Sequence, residues 1–287
     1  GGLGSLGRNV AKKLLDQGVC NVVLLSSSRN TLPQDWNHSL KPQVEQCDVS
    51  DYIALRDVFT KYKNIRGIFH SAGVLRDGTV PSLDESSFAS VFAPKVNAVL
   101  HMDRLSRYIC LDFLVMFSSV ASGFGSPGQA NYGAANYALD SISDQGRRMG
   151  QPYLSIRWGA WKEGGMAKDE TFRRLERTGM KPIHPERGIS ALFDSISHLE
   201  ITGSVLTVCP LDKTRLPDKV SLFEHLIRKD DSFDVDGLLG EMLSGEDKEA
   251  QVQSMVNQLL KIAHTLGCDE SMKADTPWRE AGLDSLS

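Results

Sequence analysis

Apolar and polar positions alternate along most of the chain in two rhythms. After a glycine-rich opening, Val10, Ala11, Leu14 and Leu15 recur at the spacing of one helical face, and Gly18 stands where that helix would stop. Short runs rich in β-branched and aromatic residues then follow at 22–25, 65–70, 113–117, 153–157 and 205–208, separated by longer stretches of helical period. Strands that alternate with helices pair in parallel, because each crossover is long and its helix covers one face of the sheet. The pattern predicts an α/β fold built on a doubly wound parallel sheet.

Past Pro210 the rhythm changes. Residues 212–249 are charged and loop-like and read as a linker between domains. Val252, Met255, Val256, Leu259, Leu260, Ala263 and Leu266 then repeat at helical spacing, which predicts an amphipathic helix over 250–266 and a second domain over 250–287. At the other end, Gly1 already belongs to a loop motif, with no strand and no initiator Met before it. The first domain, 1–211, is therefore expected to be cut from a longer polypeptide and to lack its first strand.

Composition narrows the function classes. Hydrophobic residues at 41% and charged residues at 24% suit a packed globular protein rather than a disordered or fibrous one. The formal net charge of −4 argues against nucleic acid or an anionic membrane as the main partner. The five cysteines form no CxxC pair and the seven histidines show no ligand spacing, so neither a disulfide framework nor a metal site is indicated. No apolar run approaches the ~18 residues needed to cross a bilayer, and a cytoplasmic setting is expected.

Two motifs carry candidate chemistry. Gly2-Leu3-Gly4-Ser5-Leu6-Gly7 matches G-x-G-x-x-G, in which Gly2, Gly4 and Gly7, with Leu6 between them, bring backbone N–H groups and a helix N-terminus close to a pyrophosphate. At the end of the strand over 22–25, Ser26, Ser27, Ser28 and Arg29 replace the acid that would hold a ribose hydroxyl. Hydroxyls and a guanidinium suit a 2′-phosphate, which favours NADPH, although Arg29 also suits a plain surface position. The second motif is Phe117-Ser118-Ser119-Val120-Ala121-Ser122-Gly123 followed by Gly128-Gln129-Ala130-Asn131-Tyr132-Gly133-Ala134-Ala135-Asn136-Tyr137.

With Ser119 at a strand end and Tyr132 thirteen residues later, this stretch resembles the short-chain dehydrogenase/reductase family, whose fold is of the Rossmann type. The usual lysine four residues after the tyrosine is replaced by Asn136, and Ala93-Pro94-Lys95-Val96 supplies a lysine upstream. That arrangement resembles the ketoreductases of type I polyketide and fatty acid synthases, as do Ser71-Ala72-Gly73 and Arg157-Trp158-Gly159. The resemblance implies a proton donor in Tyr132, a lysine at Lys95 that lowers the phenol's pKa, a carbonyl-binding hydroxyl in Ser119, and an amide in Asn136 that orders the lysine or a relay water. It also implies cofactor contacts from Asp48, Val49, Ser71, Ala72 and Gly73. Singly, each catalytic residue has a bland reading as a cap, a core side chain or a solvated charge.

Leu75-Arg76-Asp77 resembles the L-D-D signature of one stereochemical class, with its last position kept at Asp77, and Phe124 stands where the opposite class carries tryptophan. A D-configured β-hydroxy product is implied. Asp77-Gly78 suits an ordinary turn equally well. Near the end, Gly282-Leu283-Asp284-Ser285-Leu286 resembles the attachment site of acyl carrier proteins, which implies 4′-phosphopantetheine on Ser285 and the truncated start of an all-α carrier domain. The implied partners are the other domains of a homodimeric synthase, an acyl carrier protein and a phosphopantetheinyl transferase. The rival readings are a silent scaffold domain and a free-standing reductase.

Overall fold

β4, Phe113–Ser119, is apolar at every position up to Phe117 and buried on both faces. Leu114 and Met116 pack to one side with Leu139, Val99 and Met102, while Val115 and Phe117 pack to the other with Val10, Ile189 and Leu192. A strand buried on both faces belongs in the middle layer of three, which is the arrangement predicted from the alternation of strands and helices. The computed structural model describes residues 1–162 and 179–212, together with Phe172, Leu175 and Val256. By backbone proximity the chain separates into units Gly1–Pro217 and Asp218–Ser287, and every element named here lies in the first. The linker and carrier segments, with Ser285, lie outside the described residues except for Asp212 and Val256.

The described elements run α1 (Ser5–Asp16), β1 (Val23–Ser26), β2 (Gln43–Gln46), α2 (Tyr52–Lys61), β3 (Gly67–His70), α3 (Glu85–Phe92), a π-helical turn (Ala93–Asn97), α4 (Ala98–Ser106), β4, α5 (Ala121–Phe124), α6 (Ala130–Arg148), β5 (Tyr153–Trp158), α7 (Pro185–Ser197) and β6 (Val205–Val208). All five expected strands are present. The sixth, β2, escapes a pattern search because Gln43-Val44-Glu45-Gln46 carries one apolar residue and is exposed at both ends.

Every strand pair is parallel, but the described strands form two sheets rather than one, β1–β2 and β3–β4–β5–β6. Among the described residues no strand joins β1 to β3. Backbone at the glycine loop spans the gap instead: Gly2 N–H donates to Leu25 O at 3.0 Å, and Ser71 Oγ donates to Gly1 O at 3.5 Å. No helix among the described residues is long and apolar enough to cross a membrane.

α6 packs its inner face on β4 and β5, and that face is unusual in being half polar. Asn131, Tyr132, Ala135, Asn136, Leu139, Asp140 and Ser143 are all buried and recur every three to four residues. The polar members of this stripe build the site.

Candidate active site

The lysine owes its position to a proline. α3 and α4 form one helical run in which Pro94 offers no N–H and crowds the preceding turn, so the helix widens into a π turn over Ala93–Asn97. Lys95 within that turn is 3% exposed, and its Nζ donates to Phe117 O at 2.9 Å. Gly73 makes room for it, since a Cβ there would stand 2.9 Å from Lys95 Cε. Nζ also lies 5.3 Å from the centre of the Tyr132 ring, within cation–π range.

Tyr132, on the first turn of α6, is 8% exposed. Asn136 lies one turn on, and its Nδ2 donates to Tyr132 O at 2.7 Å, while its Oδ1 is buried with no hydrogen-bond partner. Ser119 closes β4, where its Oγ accepts from Ala121 N–H at 3.2 Å and its carbonyl accepts from Ser122 Oγ at 2.8 Å. The four residues singled out in the sequence thus converge at the carboxyl end of the four-stranded sheet. His70, at the end of β3, is buried with an unpartnered Nε2. Burial first, and then the neighbouring Lys95 charge, lower its pKa to about 3, so it is neutral.

One expectation fails in the chain alone. Lys95 was expected to depress the Tyr132 phenol, yet burial pushes that pKa up, and the polar side chains of Asn136 and Ser119 offset this only in part. Burial also works on the lysine, lowering it to about 8 against the pull of Asp140, which raises it. Desolvation outweighs the charge–ring contact, so the phenol keeps its proton and the ammonium is held close to its titration point.

The second half of the site is the glycine loop. Gly7 is forced by close approach: a Cβ there would meet Gly1 O at 2.5 Å. Gly4 caps α1 with no side-chain hydrogen bond, and the first turn carries no acidic residue, so backbone N–H groups at this helix start have no side-chain acceptor. Leu6 lies in that first turn, and Ser71, Ala72 and Gly73 follow β3 directly. Ser26 ends β1, with Ser27 and Arg29 exposed beyond it. Asp48 follows β2 and accepts from Ser50 N–H and Oγ at 2.9 and 2.7 Å, while Val49 is buried. These residues line the carboxyl ends of the parallel strands, where open α/β sheets bind ligands. Asp77 accepts from Gln129 Nε2 at 3.2 Å on both carboxylate oxygens, which ties the loop after β3 to the start of α6.

Asp140, four residues beyond Asn136 on the same face of α6, is also buried, a position its spacing from Tyr132 and Asn136 at successive fours indicates.

Residues 1–163 match the family described as "KR domain". The chain belongs to the KR domain family. As a KR domain it is 30% identical over 292 residues to "Polyketide synthase PksN" of Bacillus subtilis, covering 91% of this chain and 5% of that protein. It is 36% identical over 208 residues to "Polyketide synthase GfsB" of Streptomyces halstedii, covering 69% of this chain and 4% of that protein. Among solved structures, the ketoreductase from the first module of phoslactomycin biosynthesis in Streptomyces sp. HK803 superposes with a TM-score of 0.68 at 28% identity, covering 76% of this chain and 53% of that one. The chain thus spans a small part of the synthases it resembles and about half of that solved ketoreductase. The Rossmann-type parallel fold expected from the sequence is shared with these ketoreductases.

Proposed function

We propose that this KR domain reduces a β-ketoacyl thioester, delivered on a carrier arm, to a β-hydroxyacyl thioester within a polyketide synthase. The observation that carries the reading is the convergence of Tyr132, Lys95, Ser119 and Asn136 in one desolvated site at the strand ends. NADPH suits the residues present: the helix start at Gly4 has no competing acidic residue, and Gly7, where a Cβ would meet Gly1 O at 2.5 Å, lets α1 close tightly on the loop that would face the pyrophosphate. When bound, the dihydronicotinamide supplies hydride. Gly2, Gly4, Leu6 and Gly7 would hold its phosphates, Ser26, Ser27 and Arg29 the 2′-phosphate, and Asp48, Val49 and Ser71–Gly73 the rest.

The chain's own groups handle the proton and the carbonyl. Ser119 hydroxyl hydrogen-bonds the ketone oxygen and fixes its face. Tyr132, protonated because it is buried, donates its proton to that oxygen as negative charge develops. The phenolate left behind forms beside the Lys95 ammonium, whose attraction is stronger for phenolate than for phenol, so the lysine acts on the transition state more than on the resting site. Asn136 Oδ1, buried and unpartnered, suits a water that returns a proton to Tyr132. Asp77 favours a D-configured product by fixing the loop over the substrate.

Beyond the site, residues 1–211 form the reductase, 212–249 a linker and 250–287 the start of a carrier domain whose Ser285 takes 4′-phosphopantetheine from a transferase. The parent synthase is a homodimer in the cytoplasm. Tyr132→Phe in the full-length protein is expected to lower NADPH oxidation with a β-ketoacyl thioester roughly 10²- to 10⁴-fold, the usual worth of a positioned acid; unchanged turnover overturns the assignment. Ser285→Ala is expected to remove the pantetheine mass from the intact protein.

A further inference from the structure

The first turn of α6 begins without a side-chain cap. Gln129 stands at the cap position, yet its side chain makes no capping bond and donates instead to Asp77. The N–H of Tyr132 is one of the four at a helix start that have no acceptor within the helix, so another group has to take it. Asn131 does so from inside the turn, its Oδ1 accepting from Tyr132 N–H at 2.8 Å. Asn131 is 0% exposed, and its Nδ2 donates to Arg76 O at 2.8 Å and to Ser87 O at 3.3 Å. One buried carboxamide thus ties Tyr132 to the loop after β3 and to α3, with both amide hydrogens and the oxygen in use.

Two further contacts run beside this tie. Asp77 accepts from Gln129, and Gly78 N–H donates to Gly128 O at 2.9 Å, so residues 76, 77 and 78 meet 131, 129 and 128 in turn. The Asn131 contact uses the carbonyl of residue 76, which any side chain at that position would leave in place. What the tie holds is the cover of Tyr132. Leu75 from the loop, Val91 from α3 and Ala121 from α5 all pack in the cluster that contains it. The charged groups set toward the phenol are Asp77 from the loop and Lys95 from the π turn. A carboxamide is neutral, so replacing Asn131 removes neither charge.

We propose that Asn131 is a positioning residue for the reduction: its carboxamide fixes Tyr132 against residues 76–78 and α3, and so sets where the phenol stands relative to Lys95 and Ser119. A purely structural amide would add stability at the start of α6 without acting on the phenol. The two roles separate in the titration of Tyr132 and in how a loss of activity divides between kcat and KM.

The inference rests on the reductase reading for its kinetic arm alone. The full chain, with its six tyrosines labelled with ¹³C at Cζ, gives a Tyr132 signal that is assigned by its loss in Tyr132→Phe. Burial holds this phenol above the ordinary value of 10.0, and in Asn131→Ala, which loosens its cover, the titration is expected to fall toward that value. For NADPH-dependent reduction kcat is expected to fall by up to about 10²-fold, the cost of misplacing a reacting group by about 1 Å, with the KM for NADPH little changed. Leu154→Ala, which weakens a core cluster that does not contain Tyr132, is expected to move neither readout. An unmoved Tyr132 titration in Asn131→Ala, or an equal movement in Leu154→Ala, overturns the proposal. So does an unchanged kcat in a protein that reduces the thioester. If Asn131→Ala fails to fold, Asn131→Ser decides: a hydroxyl has one hydrogen to donate and cannot serve both carbonyls, so the titration is expected to fall there too, and an unmoved one overturns the proposal. If the unsubstituted protein reduces no β-ketoacyl thioester, the reductase reading falls, and the Tyr132 titration still decides this inference.

Discussion

On the β4–β5 side of the site, Lys95 is 3% exposed and bonded to Phe117 O, Tyr132 is buried, and Asn136 and Asp140 line the same helix face. On the β1–β2 side, Ser27 and Arg29 are exposed, β2 is an edge strand, and the loop offers mostly backbone N–H groups. The difference fits what each half would do in the proposed reduction. Proton transfer needs charge held in low dielectric at fixed distance, where each electrostatic contact is worth more than in water. In the proposed reduction a dinucleotide would come and go, which suits a half built of open backbone and surface side chains. If this is right, substitutions on the first side should change rates and pH dependence, and those on the second should change cofactor affinity.

The largest expected effect after Tyr132 falls on the lysine. Lys95→Met should lower kcat roughly 10²- to 10³-fold, the usual loss when one preorganised charge is removed from a buried site, with the KM for NADPH changed far less. The same residue sets a pH signature. Its pKa in the folded chain, about 8, lies below the ordinary 10.5, so the folded state binds fewer protons between those two values. Stability from this group therefore rises as pH climbs from about 8 to 10.5, while the rate falls across the same window as the ammonium is lost. Urea denaturation and rate profiles of the unsubstituted protein should show the two opposed trends, and Lys95→Met should show neither.

The fold and the site differ in how far the sequence reveals them. The five apolar strands were visible because each carries β-branched or aromatic residues through the sheet, as in Phe113–Phe117. β2 was not, because an edge strand of Gln and Glu gains its place from backbone pairing with β1, which leaves no periodic trace. Ser119, Tyr132 and Asn136 were visible by spacing, and Lys95 by its Pro-Lys-Val setting. What no pattern conveys is the balance of burial against charge: the raised Tyr132 phenol and the lowered Lys95 come from three-dimensional desolvation. The partners of Asp140 were hidden for a related reason. Ser122, Ser155 and Arg157 come from both sides of α6 in the chain, and only folding brings them to one carboxylate.

Next in size are the two cores. Leu154 is fully buried near the start of β5, in the cluster that includes Phe117 and Trp158, and Leu154→Ala should cost roughly 2–5 kcal/mol by urea denaturation. Leu24, in β1, is 5% exposed and belongs to a smaller cluster with Ala11, Leu15 and Val22, so Leu24→Ala should sit at the low end of that range. A larger loss at Leu24 than at Leu154 would reverse the comparison between the two sheets.

The smallest effect tests the exposed half directly. Arg29 stands just beyond β1, where its guanidinium and the hydroxyls of Ser26 and Ser27 would meet a 2′-phosphate. At an exposed position such a contact is worth about 1.4 kcal/mol, which is tenfold in affinity. Arg29→Ala should therefore raise the KM for NADPH about tenfold, leave the KM for NADH unchanged and leave kcat alone, because the contact is made equally in the ground and transition states. Equal changes for both cofactors would mean that Arg29 does not read the 2′-phosphate, and a fall in kcat would mean that the two halves of the site are not independent.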